Sequence, residues 1–331
     1  MGTGKKREAE AVFFIKERSV ETKAVEVNEP RGDEVLVDAS FSAVSTGTEL
    51  LLYEDAMPED NTEAEVPGVG SLRYPTRYGY SSVGKVVEAG KDAEDRIGER
   101  VHALHPHQTE FVVPGGMARR VPDGVSGEDA AYLSSVETAV SFAMDGRPVV
   151  GENIAVFGQG TVGLLTTAVV SRFPVDVTAF EPREKRRQMA REVGAEAAYP
   201  PSEAGRVDTE EGYDLSYEVS GNPEALNDAV RATGYNGRVV VGSWYGDRSV
   251  TVDLGREFHK TDICIIDSQV STIPPRFRGR WTKERRLGVA WDFVRKTKPS
   301  RLVDERFGIE EAERAYENIA DGALSVIFEY G

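Results

Sequence analysis

One cysteine, Cys264, stands in the whole 331-residue chain. That scarcity excludes an internal disulfide framework and any zinc cage built from cysteines. Long apolar runs are also missing: nothing approaches the ~20 residues of a membrane-spanning helix, so no membrane partner is expected. Met1 to Glu10 is polar and lacks the apolar core of a signal peptide, and a cytoplasmic location is the expectation. Positive charge is in short supply, with 40 Lys+Arg against 56 Asp+Glu and a formal net charge of −16. A field of that sign argues against nucleic acid and anionic membranes. Dense carboxylates, with the basic residues mostly arginine, also suit a halophilic protein whose self-repulsion is screened by multimolar salt. Repeats and low-complexity tracts are absent too.

What the chain does have is concentrated between Asn153 and Glu181. An apolar run, Ile154 to Phe157, ends in Gly158-Gln159-Gly160-Thr161-Val162-Gly163, and an apolar helical segment follows at once. A second β-rich run, Val175 to Phe180, closes on Glu181. Each part has a physical role in holding a dinucleotide. Gly158 permits the tight turn, Gly160 lets backbone approach a pyrophosphate, and Gly163 lets the helix pack closely on the sheet. The helix start, Thr161 and Val162, offers amides and a favourable dipole to phosphate. Glu181, roughly 20 residues on, can accept from ribose hydroxyls and favours NAD, because a carboxylate repels a 2′-phosphate. Arg183 and Arg186 follow closely and could take that phosphate instead, which keeps NADP open. Ser220 and Ser243-Trp244 end later strands, where the carboxyl edge of such a sheet meets its ligand.

Around this stretch the pattern divides the chain. Short strands punctuated by Gly and Pro run from Ala11 to Pro114 and suggest an open barrel, with Tyr53 to Pro67 an exposed acidic loop. Glu128 to Met144 has helical periodicity, with Ser126 as N-cap and Gly146 as stop. From Gly151 strand and helix alternate: helices at Glu184–Val193 and Pro223–Ala232, strands at Tyr213–Val219, Arg238–Gly242 and Ile263–Ser268. That is the signature of a parallel sheet wrapped by helices. From about Val270 the chain is expected to return to the first domain, through helices at Thr282–Lys296 and Ile309–Ala320 and a strand at Leu324–Tyr330. The fold class is α/β: a β-rich substrate domain from residues 1–147 and 271–331, and a doubly wound Rossmann domain from residues 148–270, with the active site expected in the cleft between them.

A β-rich front, a central dinucleotide domain and a C-terminal return resemble the medium-chain dehydrogenase/reductase family over nearly the whole chain. The markers are Ser45-Thr46-Gly47-Thr48-Glu49-Leu50, Gly79-Tyr80-Ser81-Ser82-Val83-Gly84-Lys85-Val86-Val87, Gly98-Glu99-Arg100-Val101 and the glycine loop. The Ser-Thr-Gly-Thr-Glu form looks most like a zinc-free branch that includes bacteriochlorophyllide dehydrogenase. The resemblance implies a GroES-like first domain, NAD(P)-dependent hydride transfer on a small-molecule substrate, and a homodimer. The departures concern zinc. Thr46 stands where zinc-dependent members carry a ligand cysteine, and Gly79-Tyr80-Ser81 stands where they carry Gly-His-Glu. The four-cysteine structural lobe is missing. Hydroxyls at those positions do not make a tetrahedral N/S site, so no zinc is expected.

Without a Lewis acid, a carbonyl oxygen needs hydrogen-bond donors during hydride transfer. Tyr80 could donate a proton, with Thr46 or Thr48 orienting or relaying; against this, Tyr80 could be an aromatic packed beside its glycine turn, and the threonines could bond local backbone. His105, in His105-Pro106-His107, is a second relay candidate, and the two histidines with Glu137 are a weak metal candidate lacking evident further ligands. His102, alternating with Val101 and Ala103, reads as structural. Aromatics such as Tyr53, Tyr78 and Trp281 make either a roomy pocket or packing, and Arg276, Arg278 and Arg280 either an anion contact or free surface. The expected activity is zinc-independent interconversion of an alcohol and a carbonyl. A quinone or enone reductase of the same family and a non-catalytic NAD(P)H-binding protein are the alternatives.

Overall fold

The computed structural model describes residues 7–58, 65–66, 70–204 and 211–331. They fall into two units, 1–134 with 298–331, and 135–297. Part of the expected acidic loop lies outside the described residues. Its start is not a loop, because Tyr53 ends the helix Thr48–Tyr53 and is buried together with Met57. Among the described residues no helix is long and apolar enough to cross a membrane.

The first unit opens on an antiparallel hairpin, β1 (Arg7–Lys16) with β2 (Ser19–Val27), running from Arg7↔Val27 to Lys16↔Ser19. β3 (Glu34–Ala43) follows, then the short pair β4 (Glu65–Val66) and β5 (Gly70–Ser71), then β6 (Ser82–Ala89), β7 (Arg100–Ala103), β8 (Glu110–Pro114) and β9 (Arg119–Arg120). β3 carries both β6 and β8 as antiparallel neighbours. Its alternation buries Val35, Val37 and Ala39 against Val86, Val101, Phe111 and Val113. His102 on β7 is buried, with Nε2 3.0 Å from Ser81 Oγ, and burial lowers its pKa to about 3, which keeps it neutral.

In the second unit β10 (Asn153–Phe157), β11 (Asp176–Phe180), β12 (Ala197–Tyr199), β13 (Tyr213–Glu218), β14 (Thr233–Val241) and β15 (Cys264–Asp267) form one parallel sheet in the order β12-β11-β10-β13-β14-β15. Numbered within the unit, this is 3-2-1-4-5-6, the doubly wound order, with its switch point between β10 and β13. Near-continuous apolar runs such as Ile154 to Phe157 are what a strand covered on both faces requires.

The second unit also takes in two flanking helices. The helices Leu133–Gly146 and Lys283–Thr297 belong almost entirely to the second unit, and a buried arginine explains why. Arg286 donates to Glu137 Oε1 from Nε (3.0 Å) and Nη2 (2.8 Å), to the Thr272 carbonyl (2.9 Å), and to the Val270 carbonyl. One guanidinium thus ties both helices and the segment between β15 and the second of them; separating such a group from its partners would leave a buried charge uncompensated. Arg276 is likewise engaged, 2.9 Å from Asp145. Only the last stretch returns to the first unit, where β16 (Glu305–Phe307) runs parallel to β17 (Val326–Glu329), and β17 pairs antiparallel with β3 at Phe328↔Ser42. Beside them, Tyr316 on the helix Ala312–Ala320 stacks on Tyr53 and meets Phe14 edge-on.

Candidate active site

The glycine loop occupies the switch point of the sheet. Gly158 has φ +92°, and a Cβ there would lie 2.3 Å from Ser220 Cα, so the loops after β10 and β13 approach as closely as only glycine allows. A Cβ on Gly163 would lie 2.1 Å from the Gly158 carbonyl oxygen, which is the close helix packing expected of the third glycine. At Gly160 an added Cβ meets nothing within 4 Å, which leaves the space a pyrophosphate would fill. Gly160 is the N-cap of the helix Thr161–Val170, and no side chain caps it, leaving the amides of Val162 and its neighbours placed as an anion site requires. These residues fit a dinucleotide.

Glu181, buried at the end of β11, accepts from the Gln159 amide (2.9 Å) and the Arg183 amide (3.1 Å). Its carboxylate therefore braces the glycine loop, and its remaining lone pairs are what a ribose hydroxyl would meet. Gln159 turns its side chain inward, accepting from Thr167 Oγ1 at 3.0 Å, so it can serve a ligand only through backbone. Arg183 is exposed and Arg186 half-buried at the start of helix Glu184–Val193. Arg187, which sequence reasoning passed over, donates to the carbonyls of Glu181 and Pro182, both at 2.7 Å, and so fixes the turn that carries the acid.

Across the switch point, the missed residue is Glu218. It ends β13 fully buried and accepts from the Ser220 amide (2.9 Å), the Ser220 hydroxyl and the Tyr245 hydroxyl. Burial and then the neighbouring Glu218 charge push the Tyr245 phenol upward, so it stays a donor. Ser243 Oγ accepts from the Gly221 amide at 2.9 Å, while Trp244 is exposed. The available signal was position: Glu218 lies opposite Phe157 on β13, as Phe180, just before Glu181, does on β11.

In the first unit, Tyr80 is half-buried and its hydroxyl donates to Ser45 Oγ, with Thr48 also within bonding reach. Burial pushes the phenol up, the Glu49 charge adds to this, and the Ser45 and Thr48 bonds oppose it. Tyr80 is thus a protonated phenol held among hydroxyls, with the half-buried Thr46 on the same turn. His105 is placed apart from this cluster. Its ring stacks on Phe111 with centroids 4.0 Å apart, its Nδ1 lies 2.9 Å from the Pro106 carbonyl oxygen, and burial lowers its pKa to about 4. It lines an open groove of about 430 Å³ with Arg77, Gln108 and Val112, to which Thr46, Thr48 and Tyr80 do not contribute.

His107 is the histidine that reaches the hydroxyl-bearing turn. Fully buried, it lies 2.9 Å from Glu49 Oε2 through Nε2 and 2.6 Å from Ser42 Oγ through Nδ1. Gly79 makes room for it: a Cβ there would lie 2.8 Å from the His107 ring. The fold family raises the question of zinc, and the donors Thr46, Tyr80 and Ser45 do not fit it, being neutral hydroxyls where the ion takes thiolate, imidazole or carboxylate. Among the described residues, no three His, Cys, Asp or Glu side chains gather as metal ligands would, and Glu137 is engaged by Arg286.

Comparison with known proteins agrees with this architecture. Residues 161–284 match the family model of zinc-binding dehydrogenases. A D-guloside 3-dehydrogenase from Shigella flexneri is 26% identical over 286 residues, covering 79% of this chain and 81% of that protein. A 2-desacetyl-2-hydroxyethyl bacteriochlorophyllide A dehydrogenase from Cereibacter sphaeroides is 28% identical over 253 residues, covering 71% and 74%. Among solved structures, a Sinorhizobium meliloti protein described as a zinc-binding dehydrogenase and bound to NADP superposes with a TM-score of 0.78 at 20% identity, over 98% of this chain and 99% of that one. The doubly wound order, the glycine approaches at its switch point and these likenesses converge: the chain is similar in sequence and fold to dehydrogenases of the medium-chain dehydrogenase/reductase family.

Proposed function

We propose that this protein is a zinc-independent NAD(P)-dependent oxidoreductase that interconverts an alcohol and a carbonyl. The observation that carries the reading is the bonded cluster of Tyr80, Ser45 and Thr48 on the segments that hold metal ligands in zinc-dependent members. Bound nicotinamide supplies or accepts the hydride. Tyr80, kept protonated by burial, donates to the carbonyl oxygen during reduction and takes the proton back during oxidation. Ser45 and Thr48 hold the phenol, and Thr46 offers a further hydroxyl to the substrate oxygen. The Glu181 carboxylate, which accepts from the Gln159 amide of the glycine loop, supports NAD as the preferred cofactor over NADP. Turnover of D-gulosides and simple secondary alcohols with NAD and NADP, alongside metal analysis, tests the proposal. The expected result is undiminished turnover after chelation, in protein holding far less than one zinc per chain. Tightly held stoichiometric zinc whose removal abolishes turnover would overturn it.

The acidic balance, net charge −16, supports a high-salt setting for this activity. Screening of surface carboxylates should raise the unfolding temperature between dilute buffer and multimolar KCl. Equal stability in both solutions would refute that part of the proposal.

A further inference from the structure

A carboxylate used by no step above sits behind the Tyr80 cluster. Glu49 is fully buried and held by three donors. The Ser45 amide reaches Oε1 at 2.8 Å, while His107 Nε2 at 2.9 Å and the Tyr316 hydroxyl reach Oε2. The network continues from His107 Nδ1 to Ser42 Oγ (2.6 Å) and from there to the Tyr330 hydroxyl (2.6 Å). His107 carries a proton on Nε2 in a donor assignment that satisfies every member of the network. It then donates to Glu49, accepts from Ser42, and Ser42 accepts from Tyr330. Glu49 also closes its own turn, since its amide donates to the Ser45 carbonyl at 2.9 Å. The five residues from Ser45 to Glu49 are thus tied at both ends, then anchored to the loop before β8 and to the helix Ala312–Ala320.

We propose that Glu49 is a positioning residue for the hydroxyl cluster: gripping the Ser45 amide on one side and His107 and Tyr316 on the other, it fixes the Ser45 oxygen that accepts from Tyr80. This rests on Tyr80 acting at the substrate oxygen. The Tyr80 phenol is faced by Ser45, Thr48 and Glu49 from one segment and by the Tyr78 ring, 6.0 Å away, from its own. Two of these neighbours act on it with opposite sign. The Glu49 charge opposes formation of a phenolate, and the Ser45 hydroxyl favours it.

The test places 3,5-difluorotyrosine at position 80 of the full chain and follows phenolate absorbance against pH. Glu49→Gln preserves shape, and a shift of the His107 proton to Nδ1 lets the new amide find an acceptor there. It should make the phenol more acidic, by about tenfold in ionisation constant. Ser45→Ala, at a half-buried position that leaves the Glu49 bonds to His107 and Tyr316 in place, should make it less acidic. If Glu49 fixes the Ser45 oxygen, the Ser45→Ala shift shrinks when it is made in the Glu49→Gln background; an undiminished shift there, or an unmoved midpoint in Ser45→Ala alone, overturns the proposal. Should Glu49→Gln not fold, Tyr316→Phe, which keeps the ring and removes one donor to Glu49, takes its place in the same comparison, and an undiminished Ser45→Ala shift there overturns the proposal. Neither substrate nor cofactor enters the measurement, so its failure is separable from failure of the catalytic reading of Tyr80.

Discussion

Turnover should fall roughly 10²–10⁴-fold when Tyr80 is replaced by phenylalanine, the range a positioned general acid contributes. The loss should appear in kcat, because the phenol is used as charge develops on the substrate oxygen and much less in ground-state binding. Phenylalanine keeps the ring that meets Tyr78 edge-on and removes only the hydroxyl that donates to Ser45, so the fold should survive. NADH affinity, set by the glycine loop in the other unit, should be unchanged by fluorescence titration. The pH profile supplies a second check. With its pKa raised above 10.0, Tyr80 supports reduction fully at neutral pH, and activity declines only as pH rises through that raised value. Thr46→Val, losing an auxiliary hydroxyl, should cost less than Tyr80→Phe. A Tyr80→Phe enzyme with near wild-type kcat would remove the phenol from the mechanism.

What could be read in advance was what neighbours in sequence decide. The helix Glu184–Val193 is stopped by Gly194, at φ +127°, and both ends match the sequence pattern. The glycine loop was equally legible, because strand, turn and helix lie within one short stretch. Helix Glu128–Met144 proved to be two pieces, Gly127–Ala130 and Leu133–Gly146, although Ser126 does cap the first by accepting from the Asp129 amide. Between the pieces Tyr132 is buried with its hydroxyl on Ser325, a partner 193 residues away. The same distance problem hid the best-connected part of the site. His107 meets Glu49 across 58 residues, Ser42 across 65, and Tyr316 reaches Glu49 across 267. His105 and His107 sit two apart on one loop, and composition cannot say which turns toward the hydroxyls. Gly79 leaves the His107 ring its place, since its φ is +123° and an added Cβ would lie 2.8 Å from that ring, but neither property shows in the sequence. The extent of the second unit was hidden for a related reason: Arg286 reads as one basic residue among several in an amphipathic helix, yet its partner Glu137 ties that helix to Leu133–Gly146.

The two glycines Gly160 and Gly163 should separate folding from binding. Gly163→Ala places a methyl 2.1 Å from the Gly158 carbonyl oxygen and 2.9 Å from its carbon. Both are backbone atoms of the turn, so no flexible side chain can yield, and the helix must move off the sheet. Overpacking of this kind typically costs about 1–3 kcal/mol. A fall of several degrees in the unfolding temperature of the cofactor-free protein is therefore expected, together with loss of measurable NADH binding. Gly160→Ala differs in kind. Its backbone, at φ −72°, suits any residue, and its Cβ would meet nothing within 4 Å. Cofactor-free stability should stay at the wild-type value while NADH affinity drops, because the methyl fills the space assigned to pyrophosphate. Calorimetry of the cofactor-free variants and fluorescence titration with NADH read the two effects independently. If Gly160→Ala bound NADH as tightly as wild type, the pyrophosphate would not lie over that glycine. If Gly163→Ala were as stable as wild type, the helix would have freedom that the 2.1 Å approach denies it.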